Sequence, residues 1–198
     1  AQIEEEKKKL DTGKALLAKQ KQEKNDFLKL TQNDETKYQA ELKRLQADAA
    51  SISQALGNIG YKIGNVSKGD VIASVGSSGC STGPHIHFEL YTNAHVENGK
   101  IVGSRTDPKS FLDSNDVKPV PNYPQNVTTW YGEVYFLGQH TGIDIANSFG
   151  TPIRAVDSGE AYFTSAACPF SISGGSSLGK GIVVDHKNGK VTLYWHIP

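Results

Sequence analysis

The sequence predicts a mostly β domain, a sandwich or open barrel, preceded by an α-helical coiled-coil hairpin or rod. Three observations carry that expectation. Composition changes near residue 57: the first 56 residues hold one glycine, Gly13, and no proline, while nineteen of the twenty glycines and all eight prolines lie from Gly57 onward. Before the change, apolar residues recur at helical spacing. After it, short β-rich runs alternate with turn residues and no helical period appears.

The helical arm, 1–56, divides at "LTQNDET". Upstream, Ile3, Leu10 and Leu17 keep a seven-residue step, with Leu16, Phe27, Leu28 and Leu30 adding apolar surface. Thr31 or Asn33 can cap a new helix, and Asp34 and Glu35 suit its first turn. Two helices, 2–30 and 34–56, are therefore expected, folded back on each other or broken within one rod. From Tyr38 the spacing is strict: Tyr38, Leu42, Leu45, Ala49, Ile52, Leu56. So narrow a seam cannot form a core alone. It has to pack on itself, on a second chain or regulatory protein, or on the domain that follows.

The domain, 57–198, contains eight β-rich runs: "DVIASVG", "HIHFELY", "VTTWYG", "TGIDIA", "TPIRAVDSG", "EAYFTS", "GIVVDHKNG" and "KVTLYWHI". The "KNGK" turn between the last two marks a hairpin. "DSNDVKPVPNYPQ", 113–125, reads as an extended linker, because proline cannot serve a central strand.

Formal charge is balanced and no block of like charge exceeds three residues, so nothing singles out nucleic acid or an anionic membrane as a partner. No apolar run approaches the roughly 18–20 residues a membrane span needs, and no signal peptide stands at Ala1. Cys80 and Cys168 are consistent with a disulfide, two free thiols or soft metal ligands.

The chemistry resides in the histidines. In "SSGCSTGPHIHFEL", 77–90, His85 and His87 project from the same side of a strand, because strand side chains alternate. "GQHTGIDIA" sets His140 and Asp144 four residues apart, with Gly142 allowing a tight turn between them. His140, Asp144 and one of His85 or His87 make a three-ligand set that leaves one tetrahedral position of a zinc ion open. The remaining imidazole and His196, in "LYWHIP", are then free for proton transfer or oxyanion stabilisation. His95 lies in a polar loop, and His186 is structural beside Asp185 at a hairpin turn.

With these residues in view, "HTGIDIA", "LYWHIP" and "STGPHIHFEL" resemble the three signature segments of the lysostaphin/LytM-type zinc metallopeptidases, which cut peptide bonds in bacterial cell-wall peptidoglycan. "GTPIRAVDSGEAY", "VSKGDVIASVGSSG" and "DPKSFL" extend the similarity over 61–198. The resemblance implies His87, His140 and Asp144 as Zn2+ ligands and His85 and His196 as the catalytic pair. It also implies peptidoglycan peptides as substrate and an extracytoplasmic location (periplasmic, wall-associated or secreted). In such a compartment a Cys80–Cys168 disulfide is expected, pinning the "SISGGSSLGKG" loop. The family order is HxxxD, then Y-x-H, then HxH. Here HxH comes first, which is the order of a circular permutation. The alternative the resemblance allows is a non-catalytic coiled-coil activator or peptidoglycan-binding module; a third is an active enzyme restrained by its arm.

Overall fold

The computed structural model describes residues 2–135, 138–169 and 178–198. It comprises two compact units, Ala1–Glu41 and Leu42–Pro198.

Helix α1 runs unbroken from Gln2 to Leu56. The break expected at 30–36 does not occur. Thr31, read there as a cap, is absorbed into the helix, its Oγ1 donating back to the Leu28 carbonyl at 3.4 Å; Thr36 Oγ1 does the same to the Gln32 carbonyl at 2.8 Å, and Glu35 accepts from Gln39 Nε2 at 2.8 Å. A back-bonding threonine costs a helix little, and no Gly or Pro stands nearby to stop it. Leu28 and Tyr38 are exposed. The side chains of the earlier seam residues Ile3, Leu10, Leu16 and Leu17, and those of Phe27 and Leu30, lie outside the described residues.

The last turns of α1 belong to the second unit. Leu42, Ala47, Ile52, Ala55 and Leu56 are buried there, so the seam packs on the domain that follows it. Ile52, 1% exposed, contributes roughly 1.5–3 kcal/mol by burial. Polar ties add to this: Ser51 Oγ donates to Ala166 O and Thr164 Oγ1 donates to Ala55 O at 2.7 Å.

All eight β-rich runs form strands. In chain order the strands are β1 (Lys62–Val66), β2 (Val71–Ser74), β3 (His85–Glu97), β4 (Lys100–Thr106), β5 (Val127–Thr129), β6 (Val134–Tyr135), β7 (Gly138–Gln139), β8 (Ile143–Ala146), β9 (Pro152–Arg154), β10 (Gly159–Ala167), β11 (Leu178–Asp185) and β12 (Lys190–Trp195). Eight of them build an antiparallel sheet ordered β1-β10-β11-β12-β3-β8-β5, with β4 on β3; β2–β9 and β6–β7 are separate pairs. "DPKSFL" supplies a short helix, α2 (Lys109–Ser114), which the β texture concealed.

One strand boundary and the packing of one segment differ from expectation. His95, read as a loop residue, lies in β3, because Asn98 and Gly99, both at positive φ, turn β3 directly into β4. This is the Asn-Gly hairpin chemistry in "VENGK". His95 is exposed, as expected of a solvated residue. Segment 113–125 contains no strand, yet it is packed rather than free: Val120 and Tyr123 are buried in the core. Its prolines prevent pairing, and the Val120 and Tyr123 side chains still gain from burial.

Strand alternation divides the core. One face of the sheet carries Ile86, Phe88, Ile143, Ile145, Ile182, Val184 and Tyr194. The other carries Tyr91, Val183, Val191, Leu193 and Trp195, and packs against Ile52, Ala55 and Leu56 of α1. Register places His87 opposite both Asp144 of β8 and Trp195 of β12, on this second face. Gly179 and Gly181 leave room for the Trp195 ring, which a Cβ at either position would meet at 2.4 and 2.6 Å.

Candidate metal centre

Strand β3 is the spine of the site. With Ile86 and Phe88 directed into the first core cluster, the period of two sends His85, His87 and Glu89 to the other face. Strand β8 brings Asp144 into register beside His87. His140 arrives from the segment joining β7 and β8, its Nδ1 bonded to the Trp130 carbonyl at 3.2 Å, which leaves Nε2 facing inward.

Three donor atoms converge. His87 Nδ1 lies 3.0 Å from His140 Nε2 and 2.9 Å from Asp144 Oδ1, and His140 Nε2 lies 3.1 Å from Asp144 Oδ1. Among the described residues this is the group of His, Asp, Glu or Cys side chains able to hold a metal ion. Two bonds of about 2.1 Å at a tetrahedral angle separate their donors by about 3.4 Å, so small outward shifts admit an ion. Two imidazoles and one carboxylate suit a borderline divalent cation with a position left open.

Electrostatics agree. Burial by itself would depress the His87 pKa; hydrogen bonds to Asp144 and Glu89 outweigh it and raise the value to about 10. Burial works against ionising Asp144, yet hydrogen bonds from His140 and His87 hold its carboxyl well below the usual range. The cluster thus holds positive charge on a proton, in the place where a cation fits.

Behind His87 stands a residue that the motif reading passed over. Glu89 is fully buried, and its carboxylate accepts from His87 Nε2 at 3.1 Å, Tyr91 OH at 2.6 Å and Arg105 Nε at 3.2 Å. This fixes the tautomer and leaves His87 Nδ1 for the cluster, the arrangement found behind metal-bound histidines. A signal was available: Glu89 follows His85 and His87 at the same two-residue period.

The other two predicted histidines flank the cluster. His85 Nδ1 donates to the Gly83 carbonyl at 2.9 Å, and its Nε2 lies 3.9 Å from Asp144 Oδ1. Burial, reinforced by the neighbouring His196, pushes its pKa down to about 4, so the ring is neutral. His196 follows β12 at φ 71°, a left-handed conformation uncommon outside glycine, and its Nδ1 donates to the Ser78 carbonyl at 2.7 Å. The His85 and His196 rings are 4.4 Å apart.

Gly142 acts through space rather than through turn freedom. A Cβ there would meet the Phe88 carbonyl oxygen at 2.4 Å and His87 Nε2 at 2.7 Å. Cys80 and Cys168 form a disulfide with Cα atoms 5.4 Å apart, beside Ala47 of α1. Residues 171–177, within the loop that this bond was expected to pin, lie outside the described residues. His186 is buried away from the cluster, bonded to Ser158 O and Thr192 Oγ1.

A cavity of about 470 Å³ opens over the cluster, between His85, His87, His140 and Asp144 on one side and Leu45, Asp48 and Ile52 of α1 on the other. Asp48 is a site neighbour with no sequence signal beyond standing one helical turn before Ile52. Its Oδ2 lies 3.5 Å from His196 Nε2.

A family model, peptidase family M23, matches residues 49–103 and 138–198. No curated protein and no solved structure matches the chain. The two matched segments cover more than half of the chain and carry all five residues of the cluster and its flanks. The chain therefore belongs to peptidase family M23.

Proposed function

We propose that this chain is a zinc-dependent endopeptidase acting on the peptides of bacterial cell-wall peptidoglycan, outside the cytoplasm. The observation that carries the reading is the mutual approach of His87 Nδ1, His140 Nε2 and Asp144 Oδ1 to 2.9–3.1 Å beside two further imidazoles. Bound by these three residues, zinc would supply Lewis acidity, polarising a carbonyl and acidifying water near neutral pH. His85, neutral and with its Nδ1 proton held by Gly83, directs a lone pair at Nε2 toward Asp144 and is the residue to accept a proton. His196, its Nδ1 fixed on Ser78, has Nε2 left to stabilise charge developing on the carbonyl oxygen. Glu89 orients His87, and the Trp130 carbonyl orients His140.

The disulfide supports an oxidising, extracytoplasmic setting. The described helices include none long and apolar enough to cross a membrane. Circular permutation is supported by the sheet: β3, from the early half, pairs with β12 on one side and β8 on the other. The HxH segment thus sits between the two late segments in one self-completed unit. The intact five-residue set favours catalysis over a purely activating or binding role.

The test is metal content and hydrolysis of purified cell wall, with released fragments identified by mass spectrometry. The parent should hold about one zinc per chain, a three-ligand site with one open position being typical of catalytic zinc. His140→Ala and Asp144→Ala should lose the metal, whereas His85→Ala should keep it and lose turnover. Four proteins that all bind zinc and hydrolyse wall equally well would refute the assignment.

A further inference from the structure

We infer that Asp48 is an internal latch: seated on His196, it holds the site in a restrained state that substrate or an activating event must open. The inference rests on the metallopeptidase reading above and names the residue through which the arm acts.

The argument begins with His196, which is 1% exposed although the proposed chemistry requires it to touch a substrate oxygen. One ring nitrogen, Nδ1, is committed to the Ser78 carbonyl at 2.7 Å. The other, Nε2, is the nitrogen left for catalysis, and the group facing it at 3.5 Å is the Asp48 carboxylate. A carboxylate oxygen in that place resembles the negative oxygen that His196 would stabilise during peptide hydrolysis. Substrate and Asp48 therefore compete for one nitrogen.

The second observation is Asp48 Oδ1. It is sealed from solvent and has no hydrogen-bond partner among the described residues. A buried carboxylate oxygen without a donor is unfavourable, and it persists because neighbouring contacts over-determine its position. Those contacts are visible. One turn downstream Ile52 is fixed in the second core cluster, one residue upstream Ala47 packs on the disulfide, and Arg44 Nη1 donates to the Cys80 carbonyl at 3.0 Å. The helix thus presses an under-satisfied carboxylate onto a catalytic imidazole, while the cavity on the zinc side remains open for a peptide. Burial opposes ionisation of Asp48, but His196 keeps it charged. Asp48 is carried on α1, on the stretch from Leu42 onward that belongs to the same unit as the sheet.

The experiment uses the full zinc-loaded chain. Asp48→Ala removes the latch, the double variant Asp48→Ala/Arg44→Ala also removes the tie to Cys80, and Asp48→Asn keeps an oxygen in place. Two quantities are measured: hydrolysis of purified wall, and carbethoxylation of His196 by diethyl pyrocarbonate, read by peptide mass spectrometry. Hydrolysis by Asp48→Ala should rise roughly several-fold or more, the scale of a close carboxylate–imidazole contact held out of water, with the double variant at least as fast and Asp48→Asn nearer the parent. His196 should be modified faster in the same order, with zinc content unchanged. Increased His196 reactivity with no hydrolysis in any variant would support the latch and refute the endopeptidase reading. Zinc-loaded Asp48→Ala and double variants with hydrolysis and His196 reactivity at or below the parent's would overturn the latch.

Discussion

Replacing Glu89 with Gln tests how far the metal site depends on what lies behind it. The carboxylate accepts three hydrogen bonds, from His87, Tyr91 and Arg105, and is fully buried. A Gln side chain keeps the shape but offers one oxygen, and its NH2 must face a group that is itself a donor. If the oxygen stays on His87, the amide nitrogen confronts Tyr91 or Arg105; if it turns away, His87 Nε2–H has no acceptor and the ring can swivel. A carboxylate that holds a metal-binding histidine from behind in this way is worth about 10–100-fold in metal affinity, or roughly 1.4–2.8 kcal/mol. Arg105, with 31% of its side chain exposed, can turn to water when it loses the carboxylate, which limits the added destabilisation. The assay is zinc affinity by chelator competition, with a thermal melt of the metal-free protein alongside. Arg105→Gln is the control, because it breaks the ion pair while leaving the His87–Glu89 bond; it should lower the melting temperature and change zinc affinity by only a few-fold. Parent-like zinc affinity in a folded Glu89→Gln protein would refute the claim that Glu89 holds His87 for the metal.

Gly142→Ala should abolish zinc binding or destabilise the domain by about 1–3 kcal/mol, because its Cβ would strike backbone at Phe88 and the ring of His87; metal content and urea melts decide it. Opening the Cys80–Cys168 disulfide, which spans 88 residues, should cost about 4–5 kcal/mol by loop entropy. Cys80→Ser/Cys168→Ser should show that loss in denaturant titrations, and the native protein should react with Ellman's reagent only after reduction. His186 provides a pH signature. Burial holds its pKa below 6.5, so as pH falls through 6.5 the unfolded chain takes up a proton that the folded chain refuses, and stability declines. His186→Asn should flatten the stability difference between pH 7.5 and 5.5; an unchanged difference would refute this.

The division of the chain into a helical and a β part was legible because it is a local matter: glycine and proline distribution, spacing, and turn pairs such as Asn188-Gly189. The chemical inventory was legible for the same reason. "HIH" and "HTGID" are short, and a strand or turn presents such residues whatever surrounds it. Local reading went astray where context prevailed. Thr31–Thr36 has cap chemistry, but a helix already propagating can absorb it by back-bonding. Proline-rich 113–125 looked like a free linker, but Val120 and Tyr123 had a core within reach.

Tertiary structure alone decided which atoms meet. His87 and Asp144 are 57 residues apart, and their pairing depends on β3 and β8 sharing one register. A shift of one residue would send His87 to the opposite face. It also decided that the last turns of α1 belong to the β unit, setting Asp48 against His196 across 148 residues. No periodicity in the sequence encodes that contact. It arises because Ile52, Ala55 and Leu56 gain more by covering the Trp195 face of the sheet than by remaining in water, and Asp48 is carried in with them.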